Sequence, residues 1–278
     1  MPLYVDLHTH TTASDGSMAP AELVRHAYES GLAAVAITDH DTMEGVEQAL
    51  EEGRKLGFEV IAGVEISVDF TTEMHLLGYF PDGYFEPILN TLEDLRERRK
   101  HRNPQIIRKL NDLGIEISMS DVEKLAGGGI TSRAHIAMVL VEKGYVADVN
   151  EAFDKYLGFG RKAFVKKDKL APGEGIAEIA RSGGIPVLAH PIYLNMTAAQ
   201  LDKLLGELAE AGLKGIEAYY TDNTASQTEE LLRLAKKHRL VATGGSDFHG
   251  SFKPDIQIGR GRGSLRVPYS ALEQLKRG

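Results

Sequence analysis

The sequence predicts an α/β fold, a mainly parallel sheet or barrel interrupted by a helical insertion. Two observations predict it. Short apolar runs alternate with amphipathic helical stretches over the first third, and the alternation returns after Ala171. Between them the pattern is almost wholly helical. Strand–helix alternation marks βαβ units and parallel pairing. Residues 1–85 then form the first part of the barrel, 86–165 the insertion, and 166–278 the second part.

Each element has its own signal. Leu3–Leu7 reads as a strand, and Pro20–Ser30 as a helix with Pro in its first turn and Gly31 as its stop. Ala33–Thr38 is an uninterrupted apolar run, hence a buried strand. Met43–Leu56 is a helix ended by Gly57, and Glu59–Phe70 and Met74–Phe80 are strands. Ile88–Leu113 is long and periodic, with Pro104 as an expected kink. Ser120–Ala126, Ser132–Lys143 and Asp148–Leu157 read as short helices. Then come helix 172–182, strand Pro186–Ala189, helix 197–211, strand Gly215–Tyr219, helix 224–238, strand Leu240–Thr243 and a helix after Pro268.

Composition narrows the chemistry. A chain of 278 residues, 42% hydrophobic, can bury a core without staples. The absence of Cys excludes disulfides, thiolate metal sites and Cys nucleophiles. A net charge of −8 argues against bulk electrostatic binding of duplex nucleic acid, but not against a local phosphate-ester site. The insertion is near neutral, with 13 Lys/Arg and 12 Asp/Glu. MPLYVDLHTH lacks the basic and apolar regions of a signal peptide, and no apolar run is of membrane-spanning length. The expected compartment is the cytoplasm, with no membrane partner.

The informative polar residues cluster at strand ends. DLHTHTTASDG places His8 and His10 two apart after the first strand, with Asp15 in the following loop. ITDHDT puts His40 just past a buried strand. GVEIS buries Glu65 in an apolar strand, where an unpaired carboxylate is costly. His75 lies in the next strand, His190 in AHP after Pro186–Ala189, and Asp247 and His249 in GGSDFHG after Leu240–Thr243. A lone HxH or buried His is usually an ordinary core or surface residue. Six His and three acids recurring at strand ends are not, because barrel active sites are built at the C-terminal ends of strands. At three or four protein ligands per ion, nine residues suggest two or three ions with Glu65 as a bridge. Imidazole and carboxylate without sulfur favour Mn, then Zn or Fe, over Mg. His26, His101 and His238 sit among charges on helices and read as solvated.

These five segments resemble the signature segments of the PHP (polymerase and histidinol phosphatase) superfamily, from Asp6 to about Gly250. The resemblance implies a distorted (β/α)7 barrel with a trinuclear metal centre that hydrolyses phosphoesters. It implies one ion on His8, His10, Glu65 and Asp247, a second on Glu65, His75 and His190, and a third on Asp15, His40 and His249. TSRAHIA at 131–137 and FDKYLGFGRKAFV at 153–165 are similar to the insertion of PHP proteins acting on nucleoside 3′,5′-bisphosphates, a group that includes RNase AM-like 5′-3′ exoribonucleases. Ala134 stands where that pattern commonly has Pro, leaving Arg133 and His135 in place.

Hydrolysis at neutral pH needs a strong nucleophile and charge neutralisation. A metal-bridging hydroxide held by Glu65, with His190 and His249 as further candidates, would supply the first. Arg133 would hold a phosphate bidentately, with His135, Arg161 and Lys162 as further substrate contacts. The basic run RERRKHR at 96–102 is either a solvated helix face or a wall of the cleft. Tyr219 and Tyr220 could stack on a base or pack in the core. The expected substrate is a small nucleotide or a short single-stranded RNA 5′ end. The alternatives are another PHP phosphomonoesterase, such as a histidinol phosphatase, and a non-catalytic PHP interaction module. An amidohydrolase with a carbamylated Lys lacks a candidate Lys at a strand end.

Overall fold

In the computed structural model, described for residues 3–126, 131–165 and 169–277, β1 (Tyr4–Asp6) leads through a long loop to α1 (Pro20–Glu29) and β2 (Ala34–Ile37). Helix α2 (Val46–Leu56) then returns the chain to β3 (Glu59–Val68). Gly57, with φ of 62°, ends α2 in the left-handed conformation that glycine adopts without strain. β4 (Met74–Phe80) follows after only five residues, too few for a parallel crossover. It therefore folds back as a hairpin, antiparallel to β3 and also to the later β5 (Ile185–Leu188). The first third is thus not uniformly parallel.

The second half restores the parallel rhythm. α7 (Pro172–Arg181) leads to β5, α8 (Ala198–Glu210) to β6 (Gly215–Tyr220), and α9 (Ala225–His238) to β7 (Val241–Gly245). A two-residue strand, β8 (Val267–Pro268), pairs antiparallel with β1 before α10 (Tyr269–Arg277). The sheet runs β7-β6-β5-β4-β3-β2-β1-β8. It is brought almost to closure by residues just past β1. Leu7 N–H donates to Gly244 O at 3.2 Å, Asp247 N–H to His8 O at 2.9 Å and His10 N–H to Phe248 O at 2.9 Å. This is the distorted α/β barrel that the sequence implied.

Strand alternation splits the core in two. Val35, Ile37, Val64, Ile66, Leu188 and Ile216 face outward onto apolar stripes of the surrounding helices, such as Leu23, Ala49, Ile179 and Leu205. Val5, Leu7, Ala34, Ala36, Ile61, Leu77, Tyr79 and Val187 face the other way, and Leu272 and Leu275 of α10 pack against them.

Among the described residues, four α-helices lie between β4 and α7: α3 (Leu89–Asp112), α4 (Met119–Ala126), α5 (Arg133–Glu142) and α6 (Val149–Ala152). Pro104 lies inside α3, which stays one helix. Leu92 and Leu95 of α3 join the outer barrel cluster, while Ile106, Ile107 and Leu110 join a separate cluster with Val122, Ile136, Leu140 and Leu157. One helix thus ties the insertion to the barrel. The helix expected at Asp148–Leu157 is α only through Ala152 and then widens into a π turn, Phe153–Leu157. No helix among the described residues is long and apolar enough to cross a membrane.

Candidate metal centre and adjoining cleft

The nine side chains singled out in the sequence meet at one end of the barrel. β3 carries Glu65 on the face of Ile61, three residues before its end, and its carboxylate lies at the centre. Glu65 Oε2 lies 3.4 Å from His8 Nε2, 3.3 Å from His10 Nε2 and 3.0 Å from His40 Nδ1. Glu65 Oε1 lies 2.7 Å from His75 Nδ1 and 2.9 Å from His190 Nε2. Asp247 Oδ1 stands 3.3 Å from His10 Nε2 and 3.7 Å from His8 Nε2. Asp15 faces His249 Nε2 at 3.4 Å, His10 Nδ1 at 3.6 Å and His40 Nε2 at 3.8 Å. His75 is not at a C-terminal strand end. It sits near the start of β4, and because β4 runs antiparallel that start lies on the same rim.

Among the described residues, three groups have ligand atoms within 4.8 Å of one another: His8, His10 and Glu65; His40, Glu65 and His75; and His10, Asp15, His40 and His249. His8 Nε2, both ring nitrogens of His10, His40 Nδ1 and His190 Nδ1 are buried without a hydrogen bond. Buried polar atoms are normally satisfied, and ring nitrogens that face carboxylates without bonding to them suit a cation between the two. The donor set fits divalent ions.

The charge balance agrees. Burial would raise the carboxyls of Glu65, Asp15 and Asp247, but the surrounding imidazoles, and Lys253 beside Asp247, hold all three well below the usual range. Burial also works against charge on the imidazoles. It pushes His40 down to about 3, while neighbouring carboxylates raise His10 and His75 to about 9. His10 and His75 thus hold protons against the buried carboxylates, protons that a bound cation would displace.

A ring of further carboxylates orients these side chains. Glu217 in β6, fully buried, receives His8 Nδ1 at 3.0 Å and accepts the His190 backbone N–H at 2.7 Å. A proton on His8 Nδ1 leaves Nε2 pointing to the centre. Asp39 accepts from the Thr11 backbone and hydroxyl and from Ser14 Oγ. Asp6 accepts from the Ser246 backbone and hydroxyl. Lys253 Nζ and Tyr220 Oη both donate to Asp247 Oδ2, at 2.7 and 2.9 Å. The backbone is strained here: Asp41, His190 and Asp247 have φ of 52°, 24° and 57°, which non-glycine residues rarely adopt. Such strain concentrates at functional sites.

Asp15, His40 and His75 open onto a pocket of about 140 Å³ walled by Arg102, Arg133, Glu73 and Lys169. The same four residues and Phe153 line a larger cavity of about 520 Å³ beyond it, with Phe70, Phe159 and Phe164. Arg133, the first residue of α5, is fixed on three sides. Its Nη2 donates to Glu73 Oε1 at 2.9 Å, Nη1 donates to Leu157 O at 3.2 Å, and the guanidinium lies 5.5 Å from the Phe153 ring centroid. Burial would raise the Glu73 carboxyl, but His75, Arg133 and Lys169 hold it well below its usual range. Burial, helped by Arg133, pushes the Lys169 ammonium down.

The other substrate candidates are placed differently. His135 is buried, and its Nδ1 accepts the Ser132 N–H at 3.1 Å at the start of α5; it lines neither cavity. Arg161 and Lys162 are exposed and line neither. The basic run divides. Arg96 pairs with Glu44 and with Glu93 at 2.8 Å, away from the pocket, whereas Arg102 is buried and lines it. The side chains of 98–101, and so the reading of His101 as solvated, lie outside the described residues. Tyr220 joins the centre through Asp247, while Tyr219 packs against the inner cluster. His238 pairs with Asp202 at 2.7 Å, and His26 lies 5.7 Å from the Phe248 ring.

Glu217, Asp39, Asp6, Glu73, Lys169 and Lys253 were not picked out in the sequence. Glu217 had a usable signal: like Glu65, it is an acid inside an apolar strand, GIEAYY.

Known proteins resemble the chain over nearly its whole length. It is 38% identical to a 5′-3′ exoribonuclease of Haemophilus influenzae, across 88% of this chain and 89% of that protein. It is 30% identical to a 3′,5′-nucleoside bisphosphate phosphatase of Chromobacterium violaceum, across 92% and 90%. A crystal structure from Bifidobacterium adolescentis, described as a candidate metal-dependent phosphoesterase, superposes with a TM-score of 0.87 at 30% identity, covering 100% of this chain and 98% of that one. The PHP domain model matches residues 6–253, and the chain belongs to the PHP-domain family.

Proposed function

We propose that the protein hydrolyses a phosphate ester of a nucleotide, either a 3′,5′-bisphosphate nucleotide or the 5′ end of a short single-stranded RNA, releasing phosphate or mononucleotide. The observation that carries this reading is the junction of the two halves of the site. Of the clustered imidazoles and carboxylates, Asp15, His40 and His75 open directly onto a pocket walled by Arg102, Arg133 and Lys169. Cations beside a metal cluster suit an anionic ester better than a neutral amide. The exoribonuclease and bisphosphate phosphatase relatives support the nucleotide class.

His8, His10, Asp15, His40, Glu65, His75, His190, Asp247 and His249 would hold two or three divalent ions, Mn first by donor chemistry, with Zn or Fe next. When bound, such ions supply a hydroxide nucleophile near neutral pH and neutralise phosphate charge. The chain's own residues do the rest. Glu65 presents both carboxylate oxygens to the cluster, and Glu217 fixes the tautomer of His8. Arg133, braced by Leu157 O and the Phe153 ring, holds the phosphate once that phosphate displaces Glu73. Arg102 and Lys169 supply further positive charge on the same wall.

The test compares three substrates with added Mn. These are adenosine 3′,5′-bisphosphate, a 5′-phosphorylated oligoribonucleotide and histidinol phosphate. Hydrolysis of either nucleotide substrate, abolished by chelation and by Asp247→Ala, is the expected result. Turnover of histidinol phosphate alone would move the protein to the other phosphomonoesterases of the family. No turnover, with less than one ion bound per chain, would favour a non-catalytic module.

A further inference from the structure

We infer that Phe159 and Phe164, on the outer wall of the larger cavity, form a stacking subsite for the nucleobase of the substrate. The inference rests on the nucleotide phosphoesterase reading and adds to it the group that recognises the base.

The first observation is exposure. Phe159 is 70% exposed, an unusual position for a phenyl ring, which folding normally buries. Its ring meets that of Phe164 edge-on, with centroids 5.2 Å apart and planes at 61°. An edge-to-face pair leaves one ring face open, and a flat aromatic group can stack there.

The second is shape and charge. The cavity measures about 520 Å³, within the range of about 300–1,000 Å³ found for small-ligand sites. One wall is phenyl. The wall it shares with the pocket beside the candidate metal ligands carries Arg102, Arg133, Lys169 and Glu73. An occupant therefore needs a flat apolar part joined to an anionic part, with polar donors between them for the Glu73 carboxylate. A nucleotide has all three: base, phosphate and sugar hydroxyls. Base–aromatic stacking beside a cationic wall is the usual way of holding a single nucleotide without reading its sequence.

The third is that the platform is held in place. Gly158 N–H donates to Phe153 O at 2.8 Å, Ala163 N–H to Tyr156 O at 2.9 Å and Lys109 Nζ to Phe164 O at 2.7 Å. Ala163 is fully buried in the insertion's own apolar cluster. A Cβ at Gly158 would stand 2.7 Å from Phe153 O, so glycine is required where the turn closes. The two rings thus project from an anchored turn.

The experiment has an optical and a kinetic arm. The probe is 2-aminopurine riboside 3′,5′-bisphosphate, whose fluorescence is quenched by stacking. Titration of the wild-type chain should quench it. Phe159→Ala and Phe159→Leu should weaken that binding about 5- to 150-fold, as expected when one stacked base is lost, and Phe159→Trp should restore it. Leu keeps the apolar bulk without an aromatic face, so loss in Leu and rescue by Trp separate stacking from general packing. In the kinetic arm, adenosine 3′,5′-bisphosphate is compared with 1,4-anhydroribitol 3,5-bisphosphate, which lacks a base. The wild type should prefer the base-bearing substrate through KM, and this preference should collapse in Phe159→Leu. Hydrolysis of the nucleotide with no quenching, or with the same KM in wild type and Leu variant, overturns the stacking subsite and leaves the hydrolytic reading intact. No hydrolysis of any nucleotide or RNA overturns both.

Discussion

At the residue scale, the site depends on side chains that never face the substrate. Glu217 holds His8 through Nδ1 and the His190 backbone through its N–H, so one buried carboxylate sets two candidate ligands. Glu217→Gln keeps the volume but weakens both contacts. The expected result is a loss of about 10- to 100-fold in metal affinity or kcat/KM, typical for partners behind a ligand, with unchanged circular dichroism. Metal titration beside kinetics checks it; full metal occupancy with full activity would reject the orienting role. Arg133→Lys keeps the charge and loses the planar fork. KM for a phosphate-bearing substrate should rise about tenfold or more, the worth of one charge-assisted hydrogen bond, with a smaller change in kcat. Most of the nine candidate ligands were legible because they broke a local rule, a His or acid inside an apolar strand or just past its end. Glu217 broke the same rule in GIEAYY, but without a neighbouring His it looked like an isolated acid. Arg102 stood out only as one member of the basic run 96–102 and Lys169 not at all, because only folding brings the two to the same rim.

At the element scale, the barrel closes where β7 meets the residues after β1. Gly244 and Gly245 make that approach possible. A Cβ on Gly245 would lie 2.4 Å from both the N and Cβ of His8, and one on Gly244 2.3 Å from Tyr219 O. The contacts are to backbone and Cβ atoms, so a new methyl cannot be relieved by a rotamer change. Gly245→Ala should cost about 1–3 kcal/mol by overpacking and should displace His8. Urea unfolding measures the first effect and metal affinity the second; a wild-type midpoint would show that the seam has slack. Strand and helix positions were readable from periodicity, but the direction of β4 was not. The rhythm suggested parallel pairing, while the five-residue link from Val68 to Met74 permits only a hairpin. That reversal is also why His75, near the beginning of its strand, shares a rim with residues at the ends of the others. The π turn at Phe153–Leu157 had no signal in the apolar pattern, yet it sets Phe153 under Arg133.

At the scale of the whole molecule, the candidate ligands run from His8 to His249, so the centre ties together both ends of the barrel. The order of these residues and the break in strand–helix alternation could be read along the chain. The cleft between barrel rim and insertion could not, because it is made by packing across large sequence separations. This layout has a thermodynamic consequence. A ligand set spread over the chain does not exist in the unfolded state, so ion binding adds to folding stability. A hundredfold excess over Kd contributes about 2.7 kcal/mol. At roughly 2–4 °C per kcal/mol for large domains, chelation should lower Tm by about 5 °C or more, and Mn should restore it. His10→Ala removes a side chain that faces both Glu65 and Asp15, so it should abolish the Mn-dependent shift. Its own Tm without metal should fall below that of the chelated wild type, because the buried His10 ring faces the Glu65 and Asp247 carboxylates at 3.3 Å and its loss leaves both less compensated. Scanning calorimetry with and without EDTA reads all three quantities. A wild-type Tm indifferent to chelator and to Mn would contradict a resident metal centre, since nine converging ligands cannot bind ions without favouring the fold that assembles them.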